Sequence, residues 1–179
     1  MKRENKYIGD EAFNKMLKHY ECPTPLSVIT MRFAGSICSP NKNLRPAEVI
    51  SSFWEDGKTP RLQTKEEADL FFKFFMGLWD EVFENVFNNN IKLSKQSFSK
   101  ESSELRFEEL ELGFIEGFFG GLTELKIPAY IGEISNNISE LALSYKKVTN
   151  ADTFNNLDKM TTKAINFLIE SYVHKKTGE

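Results

Sequence analysis

The chain contains few of the side chains on which metal and thiol chemistry depends. It has two histidines and two cysteines, and neither set stands at the spacing of a zinc site or of a di-iron carboxylate bundle. We therefore expect no metal and no other cofactor. Cys22 and Cys38 are separated by fifteen residues, and we expect them to be two small, half-buried thiols rather than a disulfide.

Recognised catalytic motifs are also missing. There is no Gly-x-Ser-x-Gly nucleophile elbow. The one glycine-rich run lacks the lysine and the serine or threonine of a phosphate-binding loop, and no strand precedes it. Cys38 falls at the C-terminus of a predicted helix, where the helix dipole raises the pKa of a thiol. These absences predict a protein that is not an enzyme.

The chain has neither an excess of positive charge nor a long apolar run. Its net charge is −3 and its lysines are interspersed with glutamates, so we do not expect nucleic-acid binding. Charged residues interrupt every hydrophobic stretch well before the ~20 residues of a membrane helix. No apolar stretch follows the charged residues 1–6, so we expect no signal peptide there. We predict a cytoplasmic protein without a membrane contact.

Phenylalanine and helical periodicity are what the chain has in quantity. It contains 16 phenylalanines among its 179 residues, most of them in segments whose apolar positions recur at helical spacing. We find no convincing alternating strand pattern. The sequence therefore predicts a single all-α domain over residues 1–179, a bundle of about six to seven helices in two halves. The N-terminal half covers about 10–90, a linker about 88–103, and the C-terminal half about 104–175.

Several helix ends are predicted from capping signals. Thr24 and Pro25 are expected to cap and to begin the second helix, and residues 64–67 form a capping box before the fourth. Thr149 or Asn150 is expected to cap the last helix. The fourth helix carries an apolar arc of roughly 220° that is rich in phenylalanine. We therefore predict that the fourth helix is the central one.

Three glycines stand four residues apart in the apolar run 112–122. At helical spacing Gly113, Gly117 and Gly121 lie along one side of a helix, and each costs up to ~1 kcal/mol relative to alanine there. We therefore predict that the backbone of a partner helix packs unusually close to them, either the fourth or the last helix. In a second interpretation, Gly120 and Gly121 end the helix as a C-cap, and residues 122–127 form the turn that follows.

Glutamates are concentrated just before these glycines. Glu108 and Glu111 can share one helix face, and they are the candidate residues for binding the basic patch of a partner. An acidic face near a helix N-terminus also suits the helix dipole without any function, and an acid–base pair is a further alternative. The cluster consists of Glu104, Glu108, Glu109, Glu111 and Glu116.

Two regions resemble the YecA/YgfB-like family of uncharacterised bacterial proteins. Residues 33–50 resemble an apolar helix that ends at a proline and is followed by a short helix that begins at one. Residues 113–117 are similar to the Gly-Phe-x-x-Gly signature of the second half of that family. The chain departs from the pattern at residues 30–31, where many members carry His-Gly, and at Leu110, where many carry tryptophan. The resemblance implies an all-α fold, no established activity, and regulation through protein contacts.

These observations predict a non-enzymatic protein that acts by binding another protein. The alternative is a protein that binds a small hydrophobic ligand in a phenylalanine-lined pocket between helices. A third interpretation gives Glu108 and Glu111 a role in acid–base catalysis. The sequence leaves homodimerisation open, because amphipathic helices with exposed apolar flanks often self-associate.

Overall fold

The computed structural model describes residues 5–41, 43–122, 124 and 126–175. Within them the structure has seven helices and no strand, which confirms the predicted all-α bundle. The first four are α1 (Asp10–His19), α2 (Leu26–Cys38), α3 (Pro46–Ser51) and α4 (Lys65–Phe87). The other three are α5 (Lys100–Glu108, continuing through Glu109–Ile115 and Glu116–Phe119), α6 (Ala129–Tyr145) and α7 (Ala151–Leu168, continuing through Ile169–His174).

Local sequence explains where several helices begin. The side chains of Thr64 and Asn150 each accept the amide hydrogen three residues further on, at 3.0 and 2.8 Å, as the capping signals predict. The predicted cap at Thr24 is wrong. Its hydroxyl donates instead to the carbonyl oxygen of Phe53 at 2.7 Å, and α2 begins at Leu26 without a side-chain cap. A tertiary contact has replaced the local one.

The most enclosed helix of the bundle is α2. It contacts α1, α3 and α4 on the N-terminal side and α5 and the end of α7 on the C-terminal side. The prediction that α4 is the central helix is wrong, since Leu70, Phe72 and Phe87 of α4 are each at least 40% exposed. A wide apolar arc shows which surface of a helix favours burial, but it does not determine how many helices pack against that surface. The buried residues of α2 are Val28, Ile29, Met31, Arg32, Phe33, Ala34, Gly35, Ser36 and Cys38.

Aromatic side chains fill the core of the N-terminal half. The fully buried ring of Phe75 lies 5.2, 6.5 and 6.0 Å, centre to centre, from the rings of Phe13, Phe33 and Phe53. Contacts of this kind add to the stabilisation that burial alone provides. These rings pack against one another, so the phenylalanines of α4 that face inward form the core.

A seam of glycines joins α2 to α5. It consists of Gly35 of α2 with Gly113 and Gly117 of α5, and we call it the glycine seam. A Cβ atom on Gly35 would overlap the carbonyl oxygen of Phe114, and one on Gly117 would overlap that of Arg32. A Cβ atom on Gly113 would lie 3.0 Å from the nearest side chain of α2. The close helix contact is therefore present, but its partner is α2 and not α4 or α7.

Gly121 lies outside the glycine seam. Helix α5 ends at Phe119, and Gly120 follows with φ 58°, its amide bonded to two carbonyls of the last turn. No atom beyond the chain neighbours lies within 4 Å of a Cβ built on Gly121. The close-packing prediction thus fails at Gly121, because the helix has already ended, whereas the C-cap interpretation is confirmed at Gly120. In the predicted turn 122–127, residues 123 and 125 lie outside the described residues.

The segment between α4 and α5 packs against α7. Ile91 is buried, and its carbonyl oxygen accepts a hydrogen bond from the Asn166 side chain of α7 at 3.3 Å. The ring of Phe98 lies 5.9 Å from that of Phe154. Helix α5 begins at Lys100, so the last residues of the predicted linker 88–103 are helical.

Candidate functional site

An open groove of about 570 Å3 runs along α5 beside the end of α6. Its apolar lining comes from Phe98, Phe107, Leu112 and Val148, and we call it the α5–α6 groove. The first two side chains and Val148 are half-buried, whereas Leu112 is 45% exposed. A concave apolar surface of this size is where a protein or ligand partner is usually accommodated.

Charged side chains also line the groove, and all but one of them have partners. Lys146 lies over the ring of Phe107 at 3.7 Å, and Lys100 lies 4.0 Å from Glu104. Glu108 is half-buried and forms no ion pair with the described residues. The groove therefore combines apolar surface with one carboxylate that is available to a partner.

The structure does not bring Glu111 into the groove beside Glu108. Glu111 is half-buried, and its Oε2 atom is buried without a hydrogen-bond partner among the described residues. From Glu109 to Ile115 helix α5 is a π-helix, whose wider turns alter the angle between residues three apart. The expectation that both carboxylates share one face fails for this reason, and only Glu108 lines the groove.

The carboxylate of this helix that is fully buried belongs to Glu109, which binds the buried guanidinium of Arg106. The Nη1 atom of Arg106 lies 2.7 Å from Glu109 Oε2, and Nε and Nη2 lie 2.9 and 3.0 Å from the carboxylate of Asp158. Ser94 accepts two more hydrogen bonds through its hydroxyl and its carbonyl oxygen, at 2.9 and 2.5 Å. All five N–H groups of Arg106 are occupied, which a buried charge requires.

This network links α5 to α6, α7 and the segment before α5. Tyr145 donates to Asp158 at 2.7 Å, and burial raises the pKa of the Tyr145 hydroxyl above its usual range. Burial acts to lower the pKa of Arg106, but the carboxylates of Asp158 and Glu109 outweigh it and hold that pKa above its ordinary value. Every group is saturated, so we assign the network to stability. No local sequence pattern marks the network, because its residues come from four separate segments of the chain.

A second buried arginine fixes the backbone at the groove. Arg32 of α2 donates from Nε and Nη2 to the carbonyl oxygen of Leu112, at 2.9 and 2.5 Å, and from Nη1 to Ser52. Burial lowers the pKa of Arg32, and the carboxylate of Glu116 opposes that shift. The Leu112 carbonyl can accept these bonds because the amide of Glu116 reaches back five residues to Glu111. The backbone of Leu112 is therefore bound to α2 while its side chain remains exposed.

A separate, polar cavity of about 420 Å3 lies between α1, α2, α4 and residues 92–94. It contains the carboxylates of Asp10 and Glu81, and Tyr7 donates a hydrogen bond to Asp10 at 2.6 Å. Burial raises the pKa of Glu81, and the nearby carboxylates of Asp10 and Glu84 raise it further. No phenylalanine lines this cavity, whereas Phe98 and Phe107 line the α5–α6 groove.

Both cysteines are free thiols. Cys22 is half-buried, Cys38 is buried, and neither forms a disulfide. Burial raises the pKa of the Cys38 thiol. The described residues contain no group of three or more His, Cys, Asp or Glu side chains that could hold a metal ion. Among the described helices, none has the length and apolar character to cross a membrane.

No protein-family model matches the chain, and neither a curated protein nor a solved structure matches it. The likeness to the YecA/YgfB-like family therefore rests on residues 33–50 and 113–117 and stays a prediction. The function has to be argued from the sites themselves.

Proposed function

We propose that this protein acts by binding another protein through the α5–α6 groove. The observation that carries the proposal is the juxtaposition of the exposed Leu112 with the unpaired, half-buried carboxylate of Glu108 in one apolar groove. Apolar contacts at the centre of an interface provide most of the binding energy. A charge beside them mainly sets which partner is accepted.

The groove indicates the chemistry of the partner. A helix that lays an apolar face along Phe107 and Leu112 would bury their exposed surface, in the way that grooves usually accept amphipathic helices. A lysine or arginine on the flank of that helix would pair with Glu108. The lysines of the groove do not compete for Glu108, since Lys146 lies over an aromatic ring and Lys100 lies beside Glu104.

Other exposed apolar residues support the proposal less well. Leu143, Met160 and Phe167 are 52%, 55% and 55% exposed, which exceeds the exposure of Leu112. None of them lines the α5–α6 groove, and single apolar residues on a helix surface are ordinary in proteins of this size. Substitutions at these exposed positions therefore serve as controls for substitutions in the groove.

Site-specific photo-crosslinking tests the proposal directly. A benzophenone amino acid placed at residue 112, in cells that naturally make the protein, is expected to capture a partner that the same amino acid at residue 160 does not capture. The captured protein is then purified and its affinity measured by isothermal titration calorimetry. We expect Leu112→Arg or Glu108→Lys to weaken binding about tenfold or more, a loss of about 1.4 kcal/mol or more.

The control substitution is Met160→Arg, which introduces the same side chain on a surface of similar exposure. It is expected to leave the affinity unchanged within a factor of two. Equal capture at residues 112 and 160, or equal losses for Leu112→Arg and Met160→Arg, would refute the assignment to the groove.

The same groove supports the second candidate function, binding of a small hydrophobic ligand. Its volume of about 570 Å3 falls within the ~300–1,000 Å3 of ligand pockets, and Phe98 and Phe107 provide aromatic walls. Native mass spectrometry of the protein purified from its own cells distinguishes the two functions. A bound small molecule that is lost in a Leu112→Arg variant would favour the second over the first.

A further inference from the structure

Four lysines surround a second cleft, of about 590 Å3, on the side of the molecule formed by the segment before α5 and by α7. Lys92 and Lys95 belong to the segment, and Lys159 and Lys163 belong to the helix. All four are exposed, and none lies within 4 Å of a carboxylate oxygen of the described residues. Their positive charges converge without a counter-ion.

This arrangement is unfavourable for the folded protein by itself. Lys159 and Lys163 stand four residues apart on one helix face, where like charges destabilise a helix. The lysines of the segment add two further positive charges to the same concave surface. An anion held between the two walls would remove this repulsion.

The one carboxylate that lines the cleft is already committed. Asp158 accepts two hydrogen bonds from Arg106 and one from Tyr145, and all five N–H groups of Arg106 have acceptors. The charged groups at the base of the cleft are therefore held in place by hydrogen bonds within the protein. The lysines are the charged groups that remain free to bind a ligand.

We propose that this cleft binds a compact anion that carries several negative charges, of the class of di- and triphosphates. Its volume suits a small molecule, and clefts lined by one sign of charge concentrate ligands of the opposite sign. The lining residues carry a net charge of +4 and the whole chain −3, so the rest of the chain is net negative by seven charges. A long polyanion such as a nucleic acid would meet that negative remainder, whereas a compact anion stays within the cleft.

Isothermal titration calorimetry with inorganic tripolyphosphate and with ATP tests this inference on the full chain. We expect binding of tripolyphosphate that weakens as the salt concentration rises. A Lys159→Gln/Lys163→Gln variant is expected to bind tripolyphosphate at least about tenfold more weakly than the unmodified protein, a difference that titration calorimetry resolves. The matched control is Lys73→Gln/Lys147→Gln, which removes two exposed lysines that do not line the cleft. Its affinity should remain within a factor of two of that of the unmodified protein.

A second variant guards against a folding defect in α7. Lys92→Gln/Lys95→Gln changes the opposite wall of the cleft, outside any helix, and is expected to weaken binding similarly. Tighter binding of ATP than of tripolyphosphate would show that a nucleoside contributes, which extends the proposal. The absence of binding, or equal binding by the cleft and control variants, would overturn it. So would tighter binding of single-stranded DNA or of phosphatidylglycerol vesicles than of tripolyphosphate.

Discussion

At the scale of single residues, the arginines explain more of the structure than their number suggests. Arg32 and Arg106 are buried, and each uses its planar fork to join segments distant in sequence. A lysine could not make the same set of bonds, since it carries a single compact ammonium group. At these two buried positions, where several acceptors converge, arginine therefore cannot be replaced by lysine without loss of hydrogen bonds.

Removing the guanidinium of Arg106 should be costly. An Arg106→Met substitution leaves the buried carboxylate of Glu109 and the half-buried one of Asp158 without their partner, so we expect a loss of about 3–5 kcal/mol in the free energy of unfolding. Urea denaturation followed by circular dichroism measures this loss of stability. The control is Arg61→Met at an exposed position, for which we expect a change within about 0.5 kcal/mol. Similar losses for both variants would contradict a structural role for the network.

Glu81 should make stability depend on pH. Burial and two neighbouring carboxylates raise its pKa in the folded state, so the folded protein binds this proton more tightly than the unfolded chain does. The associated stability is present below the ordinary pKa of glutamate and is lost as the pH rises through the raised value. We therefore expect Glu81→Gln to stabilise the protein at pH 7 and to make no difference at pH 4. A thermal melt at both pH values tests this, and a stabilisation that is equal at both would contradict it.

At the scale of helices, the contact between α2 and α5 shows what periodicity predicts and what it omits. The spacing of Gly113 and Gly117 correctly indicates a close backbone contact, because only such a contact compensates for glycine inside a helix. The spacing does not identify the partner. Gly35, which completes the glycine seam, stands alone in α2 without any repeat that would mark it.

Adding one methyl group at the glycine seam should separate the helices. Gly117→Ala places a Cβ atom against the backbone of α2, and we expect a loss of about 1–3 kcal/mol from overpacking. Gly132→Ala is the matched control within α6, since its nearest neighbour would be 3.9 Å from the new atom. There the helix preference of alanine should stabilise the protein by up to about 1 kcal/mol. Chemical denaturation of both variants measures the difference, and two stabilising substitutions would contradict the close contact.

The helices themselves were predictable because their signals are local. The capping residues Thr64 and Asn150 and the cap glycine Gly120 act within one turn of chain. The error at Thr24 has the opposite origin, since its hydroxyl donates to the carbonyl oxygen of Phe53, which follows α3 and is distant in sequence. Central placement of α2 likewise depends on which helices surround it, and no local pattern encodes that.

At the scale of the whole molecule, α2 belongs to the N-terminal half in sequence but to both halves in packing. It is enclosed by α4 on one side and by α5 on the other. An N-terminal half of residues 10–90 would therefore expose the glycine seam and the buried guanidinium of Arg32 to water. The molecule should fold as one cooperative unit.

Fragments test this cooperativity. We expect a fragment of residues 1–90 to lack the near-ultraviolet circular dichroism that the packed Trp54 and Trp79 give in the full chain, because the helix α5 that covers one side of α2 is missing. Mixing it with a fragment of residues 91–179 should restore that signal. A native-like spectrum and a cooperative melt for the first fragment alone would show that the halves are independent.

The candidate sites could be predicted only in part from the sequence, because some of their residues come together only in the folded chain. Glu108 could be singled out because the glutamates near it form a local cluster. The four lysines of the second cleft could not, since Lys92 and Lys163 lie on different segments that only the tertiary fold brings together. The lysines appear scattered along the chain, whereas on the surface they converge.

The π-helical part of α5 has a mechanical consequence. Two N–H groups of Arg32 occupy the carbonyl oxygen of Leu112, where the amide of Glu116 would donate in a regular α-helix. Tightening of this segment to the ordinary pitch would displace a buried guanidinium from its acceptor. Arg32 thus stabilises the wide π-helical turn. It fixes the backbone of Leu112 from the side of α2, while the side chain of Leu112 remains exposed.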